Sequence, residues 1–307
     1  MTETGYAQTP DGRTVAFEDG GDPDGYPVLA LHGTPGCRYT RLADDGVYAR
    51  AGVRYVTTDR PGYGLSSRSP GRRVADAAVD AVAVADALGF GRFGVTGGSG
   101  GGPHALACGA LLPDRVERVS CLSGIAPSGD DGLPRDVWSE GMDADNVEEV
   151  RWALDGRERL EAELPGRQAA MEAAMDTDPG ALLGTDVAAP DREFLLRPEV
   201  IAVFRRVVAE QCRNGVGGWV DDDLAFLAPW GFDLGAVDTP VLLVWGEQDR
   251  SVPVAHRELL RSRLRNSHVV IDAAGGHMPR TPEAEIAMNM AWLAAGLLPE
   301  GASPGRG

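Results

Sequence analysis

Lysine is absent from this chain of 307 residues, and all 29 basic residues are arginine. The absence excludes enzymes that hold a substrate or a pyridoxal cofactor on a lysine amine. It also excludes a phosphate-binding loop that ends in lysine. Cysteine is scarce as well: the four cysteines are scattered without a CxxC pair, so we expect neither a disulfide framework nor a metal site.

Positive charge is also in deficit, because the 29 arginines face 46 acidic residues and leave a net charge of −17. Such a surface repels phosphate backbones and anionic lipid headgroups, so we expect no nucleic-acid or membrane partner. The chain has no apolar run of 18 residues, and its first residues lack the pattern of a secretory signal. We therefore expect a cytoplasmic protein, and no pattern indicates its oligomeric state.

Short apolar runs beside glycine and proline alternate with helical patterns in two parts of the chain. Strands are predicted at residues 14–18, 27–31, 53–56, 92–96, 116–122, 240–245 and 269–271. Helices are predicted at residues 71–89, 102–112, 253–264 and 282–295. This alternation is typical of an α/β fold in which helices flank a mostly parallel sheet.

The alternation stops over residues 128–228, which carry helical patterns but no strand signal. Within them, Pro198 suits a helix start, and the apolar residues that follow it share one face. We predict a helical cap at residues 128–228, inserted into an α/β core of residues 1–127 and 229–307. The last seven residues of the chain are expected to be disordered.

A Gly-x-Ser-x-Gly sequence at residues 97–101 lies between a predicted strand and a predicted helix. A serine on such a sharp turn is exposed, and the flanking glycines let strand and helix approach each other. The helix N-terminus adds positive potential beside the serine. A dinucleotide-binding loop is the alternative, but the Gly-x-Gly-x-x-Gly spacing and the downstream acidic residue are missing. Ser99 is therefore our candidate nucleophile.

A serine hydroxyl needs a base that takes its proton, and His277 is our candidate. It lies on a glycine-rich loop between the last predicted strand and the last predicted helix. The remaining histidines have simpler interpretations: we expect His32 to brace its own loop, His104 to pack inside, and His256 and His268 to be solvated.

The acid that orients the histidine is expected on a loop that follows a strand, between the serine and the histidine in the chain. Asp249 meets this condition, because it follows the apolar run at 240–245. A helix-capping role before Pro253 is the simpler interpretation of Asp249. The weaker alternatives for the orienting acid are Glu247, Asp130 and Asp131.

An oxyanion hole needs two backbone N–H groups that point at one position. Gly100, the residue after the candidate nucleophile, supplies one of them. Thr34, in the loop after the strand at 27–31, is the candidate for the other, since Pro35 has no N–H group. A plain turn would also explain the glycine and proline of this loop.

Taken together, these residues resemble the α/β-hydrolase family, specifically its capped subgroup. The motifs that carry the resemblance follow the family order: His-Gly-x-Pro at 32–35, Gly-x-Ser-x-Gly at 97–101, Gly-x-x-Asp at 246–249 and Gly-His at 276–277. Residues 59–66 resemble the family's loop that supports the oxyanion loop. The resemblance implies a Ser-His-Asp catalytic triad beneath a helical cap, with no metal or cofactor.

The activity implied by this resemblance is hydrolysis of an ester or amide of a small-molecule substrate through an acyl-enzyme, with an ester favoured. Residues 32–36 are similar to a loop of proline iminopeptidases, which makes an aminopeptidase one alternative, although those enzymes carry tryptophan where this chain has Gly100. A cofactor-free perhydrolase or haloperoxidase is another alternative, because it shares the triad. The last alternative is a non-catalytic member that binds a small ligand.

A run of three aspartates, residues 221–223, lies where the predicted cap rejoins the core. Such a run is usually a solvated face or a helix N-terminus. The alternative is that one carboxylate, with Asp222 as the candidate, faces the pocket and binds a substrate ammonium group.

Overall fold

The computed structural model describes residues 4–182 and 186–305. Strands in this part form one sheet and are β1 (Thr4–Gln8), β2 (Thr14–Gly21), β3 (Tyr26–Leu31), β4 (Val53–Thr58), β5 (Phe93–Gly98), β6 (Val116–Leu122), β7 (Val241–Gly246), β8 (Ser267–Asp272) and β9 (Ser303–Pro304). Their order in the sheet is β1-β2-β4-β3-β5-β6-β7-β8-β9. The six strands β3 to β8 pair in parallel, whereas β1, β2 and β9 pair antiparallel at the two edges.

Helices flank this sheet and also fill the long connection between β6 and β7. They are α1 (Gly46–Arg50), α2 (Ala77–Ala87), α3 (Gly101–Leu111), α4 (Arg135–Trp138), α5 (Ala144–Asp155), α6 (Arg157–Thr177), α7 (Ala189–Leu195), α8 (Pro198–Gln211), α9 (Gly217–Leu227), α10 (Val254–Arg263) and α11 (Pro282–Ala295). The parallel sheet with flanking helices confirms the predicted α/β architecture. We refer to α4–α9 as the cap.

The central strands are continuous apolar runs because helices cover both faces of a parallel sheet. Leu29 on β3, Val95 on β5, Val119 on β6 and Leu243 on β7 are all fully buried. Helix α3 lies against β5 and β6 and consists largely of glycine and alanine, so its backbone approaches the sheet closely. This close approach positions the turn at the end of β5.

The end of the chain differs from its prediction. Ser303 and Pro304 form the short strand β9 against β8, and the Gly305 N–H donates a hydrogen bond of 2.7 Å to the Ser267 carbonyl. An edge strand leaves backbone groups unpaired, and the tail satisfies some of those of β8. Residues 301–305 were therefore wrongly expected to be disordered, whereas 306 and 307 lie outside the described residues.

No helix within residues 4–182 and 186–305 combines the length and the apolar character that crossing a bilayer requires.

We predict that Gly101→Ala destabilises the fold by about 3 kcal/mol, because the new methyl group would overlap the carbonyl oxygens of Leu31 and His32. Urea unfolding measures this loss. Gly91→Ala is the matched control, since a Cβ at that position meets no atom within 4 Å, and we expect its effect to stay within about 0.5 kcal/mol. Equal stability of the two variants would contradict the close packing of α3 on β3.

Candidate active site

Ser99 lies on the turn between β5 and α3, where the sequence predicts a nucleophile. Its φ angle is +53°, in the left-handed region that non-glycine residues rarely adopt. The Ser99 N–H donates a 2.9 Å hydrogen bond to the Leu122 carbonyl, and the Ser99 carbonyl accepts one of 2.9 Å from the Gly102 N–H. Two strands and a helix therefore hold the serine in a strained conformation, which is typical of functional sites.

His277 and Asp249 are hydrogen-bonded to each other, with 2.9 Å between His277 Nδ1 and Asp249 Oδ2. The loop between β8 and α11 carries the histidine, and the loop after β7 carries the aspartate. Asp249 is buried, and its Oδ1 also accepts hydrogen bonds from the N–H groups of Ser251 at 2.9 Å and Val252 at 2.8 Å. These contacts fix the carboxylate, and the carboxylate orients the imidazole.

The alternative acids lie elsewhere. Glu247 forms an ion pair of 2.8 Å with Arg257. Asp130 and Asp131 are exposed on a single helical turn at the start of the long connection. Of the four acids that the sequence offers, Asp249 is therefore the one hydrogen-bonded to His277.

Opposing effects set the protonation of the His277–Asp249 pair. Burial disfavours the imidazolium, but the carboxylates of Asp249, Asp191 and Asp143 outweigh it, so the pKa of His277 is raised above 6.5. Burial also disfavours the Asp249 carboxylate, yet His277 and the Val252 N–H hold the pKa of Asp249 below its ordinary value. A positive charge on His277 is thus stabilised, and Asp249 stays ionised beside it.

A third carboxylate, which sequence reasoning missed, holds the loop that carries the histidine. Asp191 on the cap helix α7 accepts hydrogen bonds from the N–H groups of His277 at 2.9 Å and Met278 at 2.7 Å. It lies 86 residues from His277 in the chain, and no local motif marks it. Only the packing of the cap on the core brings the two together.

The two predicted oxyanion donors lie side by side. A Cβ at Gly100 would overlap the Thr34 hydroxyl, so the backbone of Gly100 lies against the Thr34 side chain. In the part of the chain that the structure describes, neither the Gly100 N–H nor the Thr34 N–H donates a hydrogen bond. Both amides therefore remain available to an acceptor.

Gly33 adjoins Ser99, since a Cβ at Gly33 would lie 3.4 Å from the Ser99 Cβ. The Ser99 hydroxyl forms no hydrogen bond with any described residue, so the structure joins His277 to Asp249 but not Ser99 to His277. Catalytic hydrogen bonds are often open in the absence of substrate.

Ser99 and Thr34 line a cleft beneath the cap that is partly open to solvent. Concave sites of this kind bind small molecules. Most of the side chains that line the cleft are apolar, and they include Ile125, Trp138 and Phe226. Two carboxyl groups, those of Glu149 and Asp223, interrupt this apolar wall.

Asp222 does not line the cleft; it is fully buried behind it. Its carboxylate forms ion pairs with Arg60 and, at 2.6 Å, with Arg72. It also accepts hydrogen bonds from the hydroxyl groups of Tyr63 at 2.9 Å and Thr34 at 2.8 Å. The two arginines outweigh the effect of burial and hold the pKa of Asp222 well below its usual range. Because these partners already neutralise Asp222, the predicted contact with a substrate ammonium does not apply to it.

The three consecutive aspartates of α9 meet three different surroundings, because successive residues of a helix point about 100° apart. Asp221 pairs with Arg68 at 2.7 Å and with Arg157 at 2.9 Å. Asp222 binds the loops of the core, and Asp223 lines the cleft. One carboxylate of the run does reach the cleft, but it is that of Asp223 and not that of the predicted Asp222.

Three of the other histidines are structural. His32 contacts the Gly33 carbonyl through Nδ1 at 2.7 Å and accepts a hydrogen bond from the Arg60 N–H, as the loop-bracing interpretation predicts. His104 packs inside, and burial lowers its pKa to about 3. The expectation for His256 was wrong: it is fully buried and joins the Ala126 N–H to the Trp138 carbonyl.

Among the described side chains, no group of three or more histidine, cysteine, aspartate or glutamate residues is arranged to hold a metal ion.

A protein-family model described as alpha/beta hydrolase fold matches residues 26–279. The uncharacterized hydrolase YcgS of Bacillus subtilis is 26% identical over 273 residues, which are 87% of this chain and 89% of that protein. An alpha/beta hydrolase fold protein from Chitinophaga pinensis superposes with a TM-score of 0.69 at 18% identity, over 96% of this chain and 98% of that one.

Two relatives with named activities match over shorter stretches. The non-heme chloroperoxidase of Streptomyces lividans is 31% identical over 149 residues, or 44% of this chain and 52% of that enzyme. The proline iminopeptidase of Neisseria gonorrhoeae is 33% identical over 125 residues, or 40% of each chain. The chain thus spans about half the length of these two enzymes or less in the alignments.

We predict that Asp222→Asn destabilises the fold by about 3–5 kcal/mol, because the buried charge of Arg60 would lose its counterion and that of Arg72 would keep only Asp221, at 3.6 Å. The free energy of unfolding in urea measures the loss. Asp238→Asn serves as the control, since that side chain is exposed. A loss below about 1 kcal/mol for Asp222→Asn would show that this ion-pair cluster does not stabilise the fold.

Proposed function

The chain belongs to the α/β-hydrolase fold family, and we propose that it is a serine hydrolase that cleaves an ester or amide bond of a small molecule. The observation that carries this proposal is the joint geometry of two features. One is the strained Ser99 at the floor of the cleft, and the other is the buried His277–Asp249 hydrogen bond. A strained serine and a carboxylate-bound histidine are the parts that nucleophilic catalysis requires.

In the proposed mechanism, Ser99 Oγ attacks the substrate carbonyl while His277 takes its proton through Nε2. The Gly100 and Thr34 N–H groups stabilise the oxyanion of the tetrahedral intermediate. Asp249 fixes the tautomer of His277 and stabilises its positive charge. The leaving group receives the proton from His277, and water then hydrolyses the acyl-enzyme through the same groups. The hydrogen bond between Ser99 and His277 forms when substrate excludes water from the cleft.

An ester of an apolar acid is the substrate class that we favour. Most of the side chains that line the cleft, among them Ile125, Trp138 and Phe226, are apolar and suit an acyl chain. A mostly apolar cleft with a few polar groups, covered by the cap, suits a small molecule rather than a folded protein.

Preference for a substrate with a free amino group is a second candidate, and it depends on Asp223 and Glu149. The Asp223 carboxyl group is buried and contacts that of Glu149, and its Oδ2 accepts no hydrogen bond from a nitrogen or hydroxyl donor within the described residues. Glu149 in turn accepts hydrogen bonds of 2.8 Å from Trp219 Nε1 and from the Arg167 guanidinium. One positive charge thus faces two carboxyl groups.

A proton shared by these two carboxyl groups balances the charge. Burial and the nearby carboxylates of Glu149 and Asp222 raise the pKa of Asp223 well above its usual value. A substrate ammonium group that binds between Asp223 and Glu149 replaces this proton. Binding of a substrate ammonium group therefore releases a proton, so the preference for a free amino group increases as the pH rises.

We expect Ser99→Ala and His277→Ala each to lower kcat for p-nitrophenyl esters by several orders of magnitude, because the two side chains act as one unit. The double variant should lose little more than either single variant. A fluorophosphonate should modify the wild type on Ser99 alone, as located by peptide mass spectrometry. Additive losses would contradict the unit, and an unreactive Ser99 without turnover would favour a non-catalytic binding protein. Halogenation that depends on peroxide would favour a perhydrolase.

The amine candidate predicts a pH-dependent preference. The ratio of kcat/KM for proline p-nitroanilide to that for its N-acetyl analogue should rise with pH by up to about tenfold per unit, below the pKa values of Asp223 and the amine. The ratio cancels the titration of His277, which both substrates share. Asp223→Asn should abolish the rise.

Glu148→Gln is the matched control for Asp223→Asn. Glu148 also pairs with Arg167, at 3.0 Å, but it is exposed and lies outside the cleft. We expect this variant to keep the wild-type ratio. A ratio that does not change with pH in the wild type would end the amine candidate and leave ester hydrolysis in place.

A further inference from the structure

Asp191 connects the cap to the loop of the proposed base through two hydrogen bonds. One carboxylate oxygen accepts the N–H of His277 at 2.9 Å, and the other accepts the N–H of Met278 at 2.7 Å. Only 4% of Asp191 is exposed, so water does not compete for either oxygen. Charge-assisted hydrogen bonds of this kind are stronger than neutral ones.

Gly276 makes room for this carboxylate. A Cβ at position 276 would overlap both oxygens and the Cγ atom of Asp191, and the backbone of Gly276 does not have a positive φ. The glycine before His277 is therefore required by the approach of Asp191 rather than by an unusual backbone conformation. This pairing explains locally why glycine precedes the histidine.

A second contact joins the same part of the cap to the same loop. The Arg197 guanidinium, just after α7, donates a hydrogen bond of 3.0 Å to the Arg280 carbonyl. The loop of His277 thus receives contacts from the cap at its centre and near its C-terminal end, whereas Asp249 of the core contacts only the imidazole ring.

We propose that Asp191 is a positioning residue that holds His277 in its working place only while the cap is docked on the core. The proposal rests on the proposed serine-hydrolase function. Asp191 fixes the backbone that carries the imidazole, and its negative charge stabilises the imidazolium that forms when Ser99 attacks. If the cap lifts to admit substrate, the loop loses both acceptors, so the base is complete only when the cleft is closed.

Three carboxylates act on the charge of His277. They are Asp249 after β7, Asp191 on α7 and Asp143 before α5. Removal of the negative charge of Asp191 lowers the pKa of His277. His277 then stays neutral down to a lower pH, so the acid limb of the pH profile of kcat/KM moves to lower pH. A residue that only stabilised the fold would not move this limb.

The experiment compares Asp191→Asn and Asp191→Ala with Glu193→Gln, an exposed carboxylate on the same helix that provides the same change of charge. For a p-nitrophenyl ester we expect kcat to fall by roughly 10- to 100-fold in both Asp191 variants, with KM changed by less than about threefold. The acid limb should move to lower pH by up to about one unit. Glu193→Gln should match the wild type in all three quantities.

Gly276→Ala provides a reciprocal test. In the wild-type background its methyl group displaces the Asp191 carboxylate, so we expect a loss of kcat similar to that of Asp191→Ala. In the Asp191→Ala background the space is empty, and the same change should cost less than about threefold. If Asp191→Ala does not fold, the nearly isosteric Asp191→Asn takes its place in this cycle.

The two proposals fail in distinguishable ways. Wild-type kcat and an unmoved acid limb in a folded Asp191→Asn would overturn the positioning role, as would independent losses for Asp191→Ala and Gly276→Ala. In either case Ser99 would still react with a fluorophosphonate. A wild type whose Ser99 does not react would instead overturn the serine-hydrolase function itself.

Discussion

The buried carboxylate of Asp222, held between Arg60 and Arg72, is the interaction on which the site depends most. It lies near the end of the cap, yet its partners belong to the loops of the core. Through Arg60 it fixes the His32 and Gly33 carbonyls, and through a direct hydrogen bond it fixes Thr34. Desolvation of three charges is costly, so the cluster is favourable only when every partner is present. The docking of α9 on the core and the correct conformation of the oxyanion loop therefore depend on the same ion pairs.

The cap contacts the proposed machinery at two separate points. Helix α9 reaches the loop of Thr34 through Asp222, and helix α7 reaches the loop of His277 through Asp191. Between these points, α4, α5 and α9 supply most of the cleft wall, with Phe226 beside Gly100. In this account the cap selects the substrate and also completes the site. Variation of cap residues would accordingly change turnover as well as specificity.

Local sequence patterns were enough to predict the six parallel strands, most of their flanking helices and the turn of Ser99, because those features depend on short-range periodicity and on glycine. The edge strands β1 and β9 and the short helix α1 were not predicted. The hydrogen bond between His277 and Asp249 could be expected from the positions of their loops in the sequence, since parallel strands end at the same edge of a sheet. The pocket carboxylate is Asp223 and not the predicted Asp222. The ion pairs of Asp221 and Asp222 with arginines from distant parts of the chain set the rotation of α9, which no local pattern shows. Asp191 was out of reach, since only the packing of the cap creates its contacts. The burial of His256 was out of reach because its partners, the Ala126 N–H and the Trp138 carbonyl, lie more than 100 residues away in the chain.

A crystal structure of the protein after reaction with a fluorophosphonate would show the proposed catalytic groups around a bound phosphoryl group. We expect a phosphorus atom bonded to Ser99 Oγ, with its phosphoryl oxygen about 3 Å from both the Gly100 and the Thr34 nitrogen atoms. We also expect His277 Nε2 next to Ser99, with the Asp249 hydrogen bond intact. A phosphoryl oxygen that points away from the two amides, or an adduct on any other residue, would contradict the proposed mechanism.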